Sequence, residues 1–146
     1  TVKRASKEWK GTLMWSETKI KKDGRITNNL VINQGYFGRF KPGDIDGINH
    51  RIKRGYEEQW FVSENIADVV NHEYGHRLTS YRVFDAEKKP GGLVDDPIYD
   101  YKNLGKYAAS NLDETLAEIF TRYKKDGFIK PEWKILFNKF SEVKIK

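Results

Sequence analysis

The clearest apolar stripe lies near the C-terminus. Trp133, Leu136, Phe137 and Phe140 fall at i, i+3, i+4 and i+7 behind Pro131, which predicts a helix opening on that proline with its stripe in the core. Ile66, Val69, Val70 and Tyr74 approximate the same period. They predict a second helix, capped by Ser63, with Glu64 and Asp68 at the positive end of its dipole and an end between Thr79 and Val83. "LDETLAEIFTRYKK" (112–125) predicts a third, starting near Ser110 or Asn111 and stopped by Gly127. Residues 1–10 read as a short basic helix around Ala5 and Trp9. Two runs have strand composition instead: "NLVINQGYF" (29–37) and the shorter "EQWFV" (58–62). Asp23-Gly24 offers a turn. Five glycines and one proline between Gly35 and Gly55 predict mostly loop, as does "KKPGGLVDDP" (88–97).

Composition narrows the class. The 146 residues are 38% hydrophobic, 14% aromatic and 33% charged, which fits one globular domain over residues 1–146 with a sizeable core. No run approaches the roughly 18 apolar residues of a membrane span, and "TVKRASKEWK" has no apolar signal-peptide core. Without an initiator methionine, the chain reads as an excised domain or a processed product, and the sequence leaves both readings open. The absence of cysteine excludes disulfides, thiolate zinc sites and a cysteine nucleophile together, so any metal must be held by His, Asp or Glu. Net charge is +6, concentrated in "KIKKDGR" (19–25) and "NKFSEVKIK" (138–146). Such a basic surface can attract nucleic acid, acidic peptide or anionic membrane. No nucleic-acid-reading motif accompanies it, and an ordinary solvated surface is the simpler account.

The residues that change the picture are "NHEYGH" (71–76). His72 and His76 stand one helical turn apart, so both imidazoles project from one face and can share a Zn²⁺ ion. Glu73, one step round the helix, is placed to act on a zinc-bound water without being a ligand. With only 3 histidines in 146 residues, a chance His-Glu-x-x-His has a probability of about 0.5%. The bland alternative is two surface or core histidines on an ordinary helix. His50, in the glycine-rich stretch, lacks ligand spacing to the other two and reads as a surface residue.

A catalytic zinc usually takes three protein ligands and a water. The residues after His76 are "RLTSYR" (77–82), with Thr79 and Arg82 where a three-histidine metzincin needs glycine and histidine, so that class is excluded. A carboxylate is needed, and Glu114 and Glu118 lie four apart on the third helix. One can bind zinc while the other accepts a hydrogen bond from a ligand histidine. Ala117 is small enough to let that helix approach closely. The bland alternative here is specific: Asn111 and Glu114 have capping-box spacing, and Glu118 can pair with Arg122.

"HEYGH" followed by "YAASNLDETLAEIF" (107–120) resembles the zincin metallopeptidases of the anthrax lethal factor-like group, which includes the Pro-Pro endopeptidases. Similar domains occur in phage minor head proteins and toxin polypeptides. The likeness covers residues 60–123. Its pattern is His-Glu-Phe/Tyr-Gly-His, a tyrosine, then Glu-x-x-Ala-Glu-x-Phe. The resemblance implies an α+β, zincin-like fold, with a small mixed sheet of short strands packed on an active-site helix and a glutamate-bearing helix. It implies Glu114 as third ligand to one zinc ion, Glu118 supporting the site from behind, and Tyr107 donating to the reacting oxygen. A phenol near zinc also makes independent sense as an oxyanion stabiliser, its alternative being an aromatic packed in the core. Leu116 departs from the aromatic that many members carry before the alanine, a difference of packing. The thermolysin-like second motif, Asn-Glu-x-x-Ser-Asp, is absent.

The leading expectation is therefore a zinc-dependent endopeptidase acting on peptide or protein, with residues 29–34 as an edge strand for extended substrate. A second expectation is a non-catalytic structural domain of a phage head or similar assembly, its basic surface facing nucleic acid. A third is a toxin-type protease delivered within a larger polypeptide, virion-associated or secreted. Glu73 argues for catalysis, because a structural zinc has no use for a general base.

Overall fold

The computed structural model describes residues 2–3, 14–33, 44–87 and 103–146. Three strands come first: β1 (Val2–Lys3), β2 (Met14–Ile20) and β3 (Ile26–Asn33). The helices α1 (Ile45–Glu57), α2 (Ile66–Glu87), α3 (Leu112–Asp126) and α4 (Pro131–Phe140) follow, with a 3-10 turn (Lys106–Ser110) entering α3. The architecture is α+β, as expected. No helix among the described residues is long and apolar enough to cross a membrane.

β2 and β3 form a hairpin in register from Met14↔Ile32 to Ile20↔Ile26. Asp23-Gly24 turns the chain as expected: Gly24 adopts φ +82°, donates to the Lys21 carbonyl at 2.9 Å, and Asp23 accepts from the Arg25 amide at 3.1 Å. β1 adds in parallel to the far end of β3, giving a small mixed sheet of order β1-β3-β2. Two expectations change here. Val2–Lys3 is strand, not helix; an isolated helix of ten residues is marginal, whereas β3 supplies main-chain partners. Residues 4–10 lie outside the described ones. β3 is the central strand, so it is not the edge expected for residues 29–34; β2 has one partner strand among the described residues.

α1 overturns the loop reading of 35–55 for its second half. Ile45, Ile48 and Ile52 repeat at helical spacing, Ile48 and Ile52 are buried, and Asp44 caps the helix by accepting from the Gly47 amide at 2.9 Å. Gly55 marks a close approach and not a turn: a Cβ there would lie 2.3 Å from the Phe61 ring. Residues 34–43 and 88–102 lie outside the described ones.

Residues 58–62 are not a strand. Gln59 has φ +61°, a left-handed conformation that breaks strand geometry, and the Trp60 amide folds back to the Gly55 carbonyl at 2.9 Å. The segment acts as a strap. Its carbonyls at Gln59 and Trp60 accept from the amides of Lys106 and Tyr107, both at 2.8 Å.

α2 starts at Ile66, three residues beyond the expected Ser63 cap. Asn65 accepts from the Asp68 amide at 3.0 Å, Asp68 accepts from the Glu64 amide at 2.9 Å, and Asn49 of α1 accepts from the Ile66 amide at 2.9 Å. The helix also continues past Val83 to Glu87, where Ala86 still packs against the core that buries Leu78 and Val83. α3 matches its expected bounds, capped by Asn111 and closed by Gly127 at φ +77°. In α4, Trp133, Phe137 and Phe140 are buried, and Phe137 stacks on Phe120 of α3 at 5.6 Å between centroids. The apolar core thus fills the space between α2, α3 and α4. The sheet rests against the other side of α2, where the Ser16 hydroxyl of β2 donates to the Glu73 carbonyl at 2.9 Å.

Candidate metal centre

α2 and α3 touch main chain to main chain. Gly75 faces Ala117, and a Cβ on Gly75 would lie 3.0 Å from the Ala117 Cα and 3.1 Å from the Phe120 Cβ. His72 lies one turn before Gly75 on α2 and His76 directly after it, and their rings meet edge to face at 4.8 Å. On α3, Glu114 likewise lies one turn before Ala117 and Glu118 directly after it. The two smallest side chains at the crossing therefore bring the four chemical ones within reach of each other.

Three donor atoms converge. His72 Nε2 and His76 Nε2 are 3.1 Å apart, and Glu114 Oε2 lies 3.0 Å from the first and 3.2 Å from the second. Donors on a tetrahedron about zinc at 2.0–2.1 Å sit roughly 3.3–3.4 Å apart, so the triangle has the right size for a tetrahedral ion with a small relaxation. Among the described residues His72, His76 and Glu114 form a group that can hold a metal. His50 is exposed on α1 and is not part of it.

The electrostatics agree with a cation site. Burial would raise the Glu114 carboxyl, yet hydrogen bonds and charge from His72 and His76 outweigh it and hold the group well below the usual carboxylate range. Burial would lower both imidazoles. Glu114 and Glu118 instead raise His72 well above its usual value, and Asp113 with Glu114 raises His76 to about 9. The raised imidazoles and the lowered carboxyl show opposite charges held together at one point, with the carboxylates supplying the negative side that a cation would meet.

Each histidine has a carboxylate behind it. Glu118 is fully buried; its Oε2 accepts from the Val62 amide at 2.6 Å, and its Oε1 lies 2.6 Å from His72 Nδ1. Asp113 Oδ1 lies 3.2 Å from His76 Nδ1 and accepts from the Ser80 hydroxyl at 2.8 Å. Both Nδ1 contacts are short but off the axis of a well-aligned ring N–H bond. The capping and ion-pair alternatives can be set against these contacts. Asn111 does cap α3 by accepting from the Glu114 amide at 2.9 Å, but the Glu114 side chain turns to the histidines. Arg122 donates to the Asn103 carbonyl at 2.9 and 2.7 Å, leaving Glu118 to His72.

Glu73 is buried at 8% exposure, and loss of solvent raises its carboxyl against the opposing charge of the two histidines. Tyr107 is partly exposed, with its ring centroid 6.0 Å from that of His72. Burial and the Glu114 carboxylate push its phenol upward, so it stays protonated. The strap fixes it through the Trp60 carbonyl, and also holds Glu118 through the Val62 amide. Lys125 anchors the strap in turn, donating to the Val62 carbonyl at 2.8 Å and to Glu64 at 2.6 Å.

Every site residue expected from the sequence, His72, Glu73, His76, Tyr107, Glu114 and Glu118, is thus brought to one locality. Asp113, Ser80 and the Val62 amide were not anticipated. Asp113 had a signal, its place beside Glu114, but a first-turn acid is already explained by the helix dipole. A main-chain amide has none. Comparison with protein-family models, with curated proteins and with solved structures found no match to this chain.

Proposed function

We propose that the chain is a zinc-dependent endopeptidase of the lethal factor-like zincin group. The observation that carries the reading is the triangle of His72 Nε2, His76 Nε2 and Glu114 Oε2 with sides of 3.0–3.2 Å, assembled on the helix that also bears buried Glu73. Two nitrogens and one carboxylate oxygen with a fourth position left over is the donor set of catalytic, not structural, zinc.

Zinc bound there supplies Lewis acidity, which polarises the scissile carbonyl and acidifies the attacking water. The chain's own residues do the rest. Glu73 takes the water's proton and returns it to the leaving amine; its raised carboxyl brings it closer to the proton affinity that both transfers need. Tyr107, kept protonated, donates to the oxyanion of the tetrahedral intermediate. Glu118 keeps the Nδ1 proton on His72, so that its Nε2 lone pair faces the metal. The non-catalytic alternative leaves buried Glu73 without a role.

Metal analysis of the purified chain tests this. Wild type is expected to hold about one zinc per chain, Glu114→Ala to lose it, and Glu118→Ala to keep it with weaker affinity. Glu73→Gln should retain zinc and lose peptidase activity against a peptide library by at least about 10²-fold. Full zinc in Glu114→Ala, or undiminished proteolysis in Glu73→Gln, contradicts the assignment.

A further inference from the structure

The geometry points to Asp113, held by Ser80, as a positioning residue for His76, doing for the second histidine what Glu118 does for the first. This inference rests on the zinc reading above. Three observations carry it. His76 Nδ1 is buried and has no well-aligned partner among the described residues. A buried ring N–H needs an acceptor, because an unmade bond leaves the ring free to rotate or to change tautomer. Asp113 Oδ1, at 3.2 Å, is the carboxylate paired with that nitrogen.

Ser80 supplies the second constraint. It lies one turn beyond His76 on α2, and its hydroxyl donates to the same Asp113 oxygen at 2.8 Å across the helix crossing. The Ser80 bond ties the Asp113 carboxylate on α3 across to α2, so its orientation has a support other than His76. An acceptor that is already oriented can orient a ring.

The competing explanation is that Asp113 is only a favourable charge in the first turn of α3. The two differ in what an asparagine does. Asparagine keeps the acceptor oxygen and loses the charge, so it should rescue positioning but not a dipole interaction.

The test measures zinc affinity by chelator competition, the visible spectrum of cobalt(II) bound in place of zinc, and the melting temperature of the metal-free chain. For Asp113→Ala, zinc affinity should fall about tenfold, the lower end of the usual range because the side chain is one-third exposed. Its cobalt spectrum should shift. Asp113→Asn should recover affinity to within about threefold of wild type, and Ser80→Ala should fall between wild type and Asp113→Ala. A change confined to the melting temperature, with wild-type affinity and spectrum in Asp113→Ala, overturns the inference and leaves the metal reading standing. So does an asparagine variant as impaired as the alanine one. A wild-type chain that binds neither metal overturns both.

Discussion

At the residue scale, His76 carries a pH signature that can be worked through. In the metal-free chain burial lowers its pKa, but Asp113 and Glu114 more than offset this and bring it from 6.5 to about 9; His72 moves the same way. A histidine whose folded pKa is raised contributes stability that is complete below its unfolded value and lost as pH rises through its folded one. The metal-free chain should therefore melt at progressively lower temperature from about pH 6.5 to about pH 9. Zinc needs unprotonated Nε2 atoms, so its affinity should move in the opposite sense and rise across that window. Addition of zinc at pH 7 should release about two protons per chain, readable in a pH-stat. Zinc uptake without proton release would show that the imidazoles are not the ligands. The legibility of these residues differed for physical reasons. His72, Glu73 and His76 stand in one hexapeptide, where helical geometry alone puts them on adjoining faces. Glu114 required a ligand count and a resemblance, because its capping-box spacing was an equally good local explanation. It proved compatible with both: the Glu114 amide serves the cap and its side chain the cluster.

At the scale of elements, the crossing of α2 and α3 decides whether the cluster forms. Gly75 looks like a weakness in α2, where alanine is better in a helix by up to about 1 kcal/mol. Yet an alanine Cβ would sit 3.0 Å from the Ala117 Cα, tighter than nearly all packed Cβ contacts, so the helices would have to give by a few tenths of an ångström. Gly75→Ala should leave metal-free stability within about 1 kcal/mol of wild type, propensity offsetting crowding. Zinc affinity should nevertheless fall about tenfold, because Glu114 and Glu118 move away from both histidines together. A zinc titration beside a thermal melt separates the two effects; unchanged affinity would show that this contact does not set the donor triangle. Elements themselves were readable where one face is apolar. α3 and α4 announce themselves through period and caps, and both fall within a residue or two of expectation. α1 was hidden because two of its thirteen residues are glycine, whose role as close-packing positions depends on Asp44 and on Phe61, a side chain outside the helix. The strap at 58–62 has strand composition, and only the left-handed Gln59 and its bonds to the 3-10 turn make it a support for Tyr107 and Glu118.

At the scale of the whole molecule, the metal centre and the apolar core lie on different faces of the same two helices. Leu116, Ile119 and Phe120 of α3 pack with Leu78 and Val83 of α2 and with Trp133, Phe137 and Phe140 of α4, and that cluster includes none of the donor residues. The fold should therefore survive loss of the ion, whereas its stability should not be indifferent to it. Glu73, Asp113, Glu114 and Glu118 converge on two histidines, so a cation that binds them ties α2 to α3 only in the folded chain. Linkage then fixes the size of the effect: free zinc at 100 times its Kd adds about 2.7 kcal/mol. For a chain of this length each kcal/mol moves the midpoint by about 2–4 °C, so chelation should lower Tm by roughly 5–11 °C while helical circular dichroism at 25 °C stays near its holo value. Restoring zinc should restore the midpoint, and Glu114→Ala should melt at one temperature with or without it. A wild-type midpoint that ignores both zinc and chelator would mean that the triangle of donors holds only protons, and the peptidase reading would go with it.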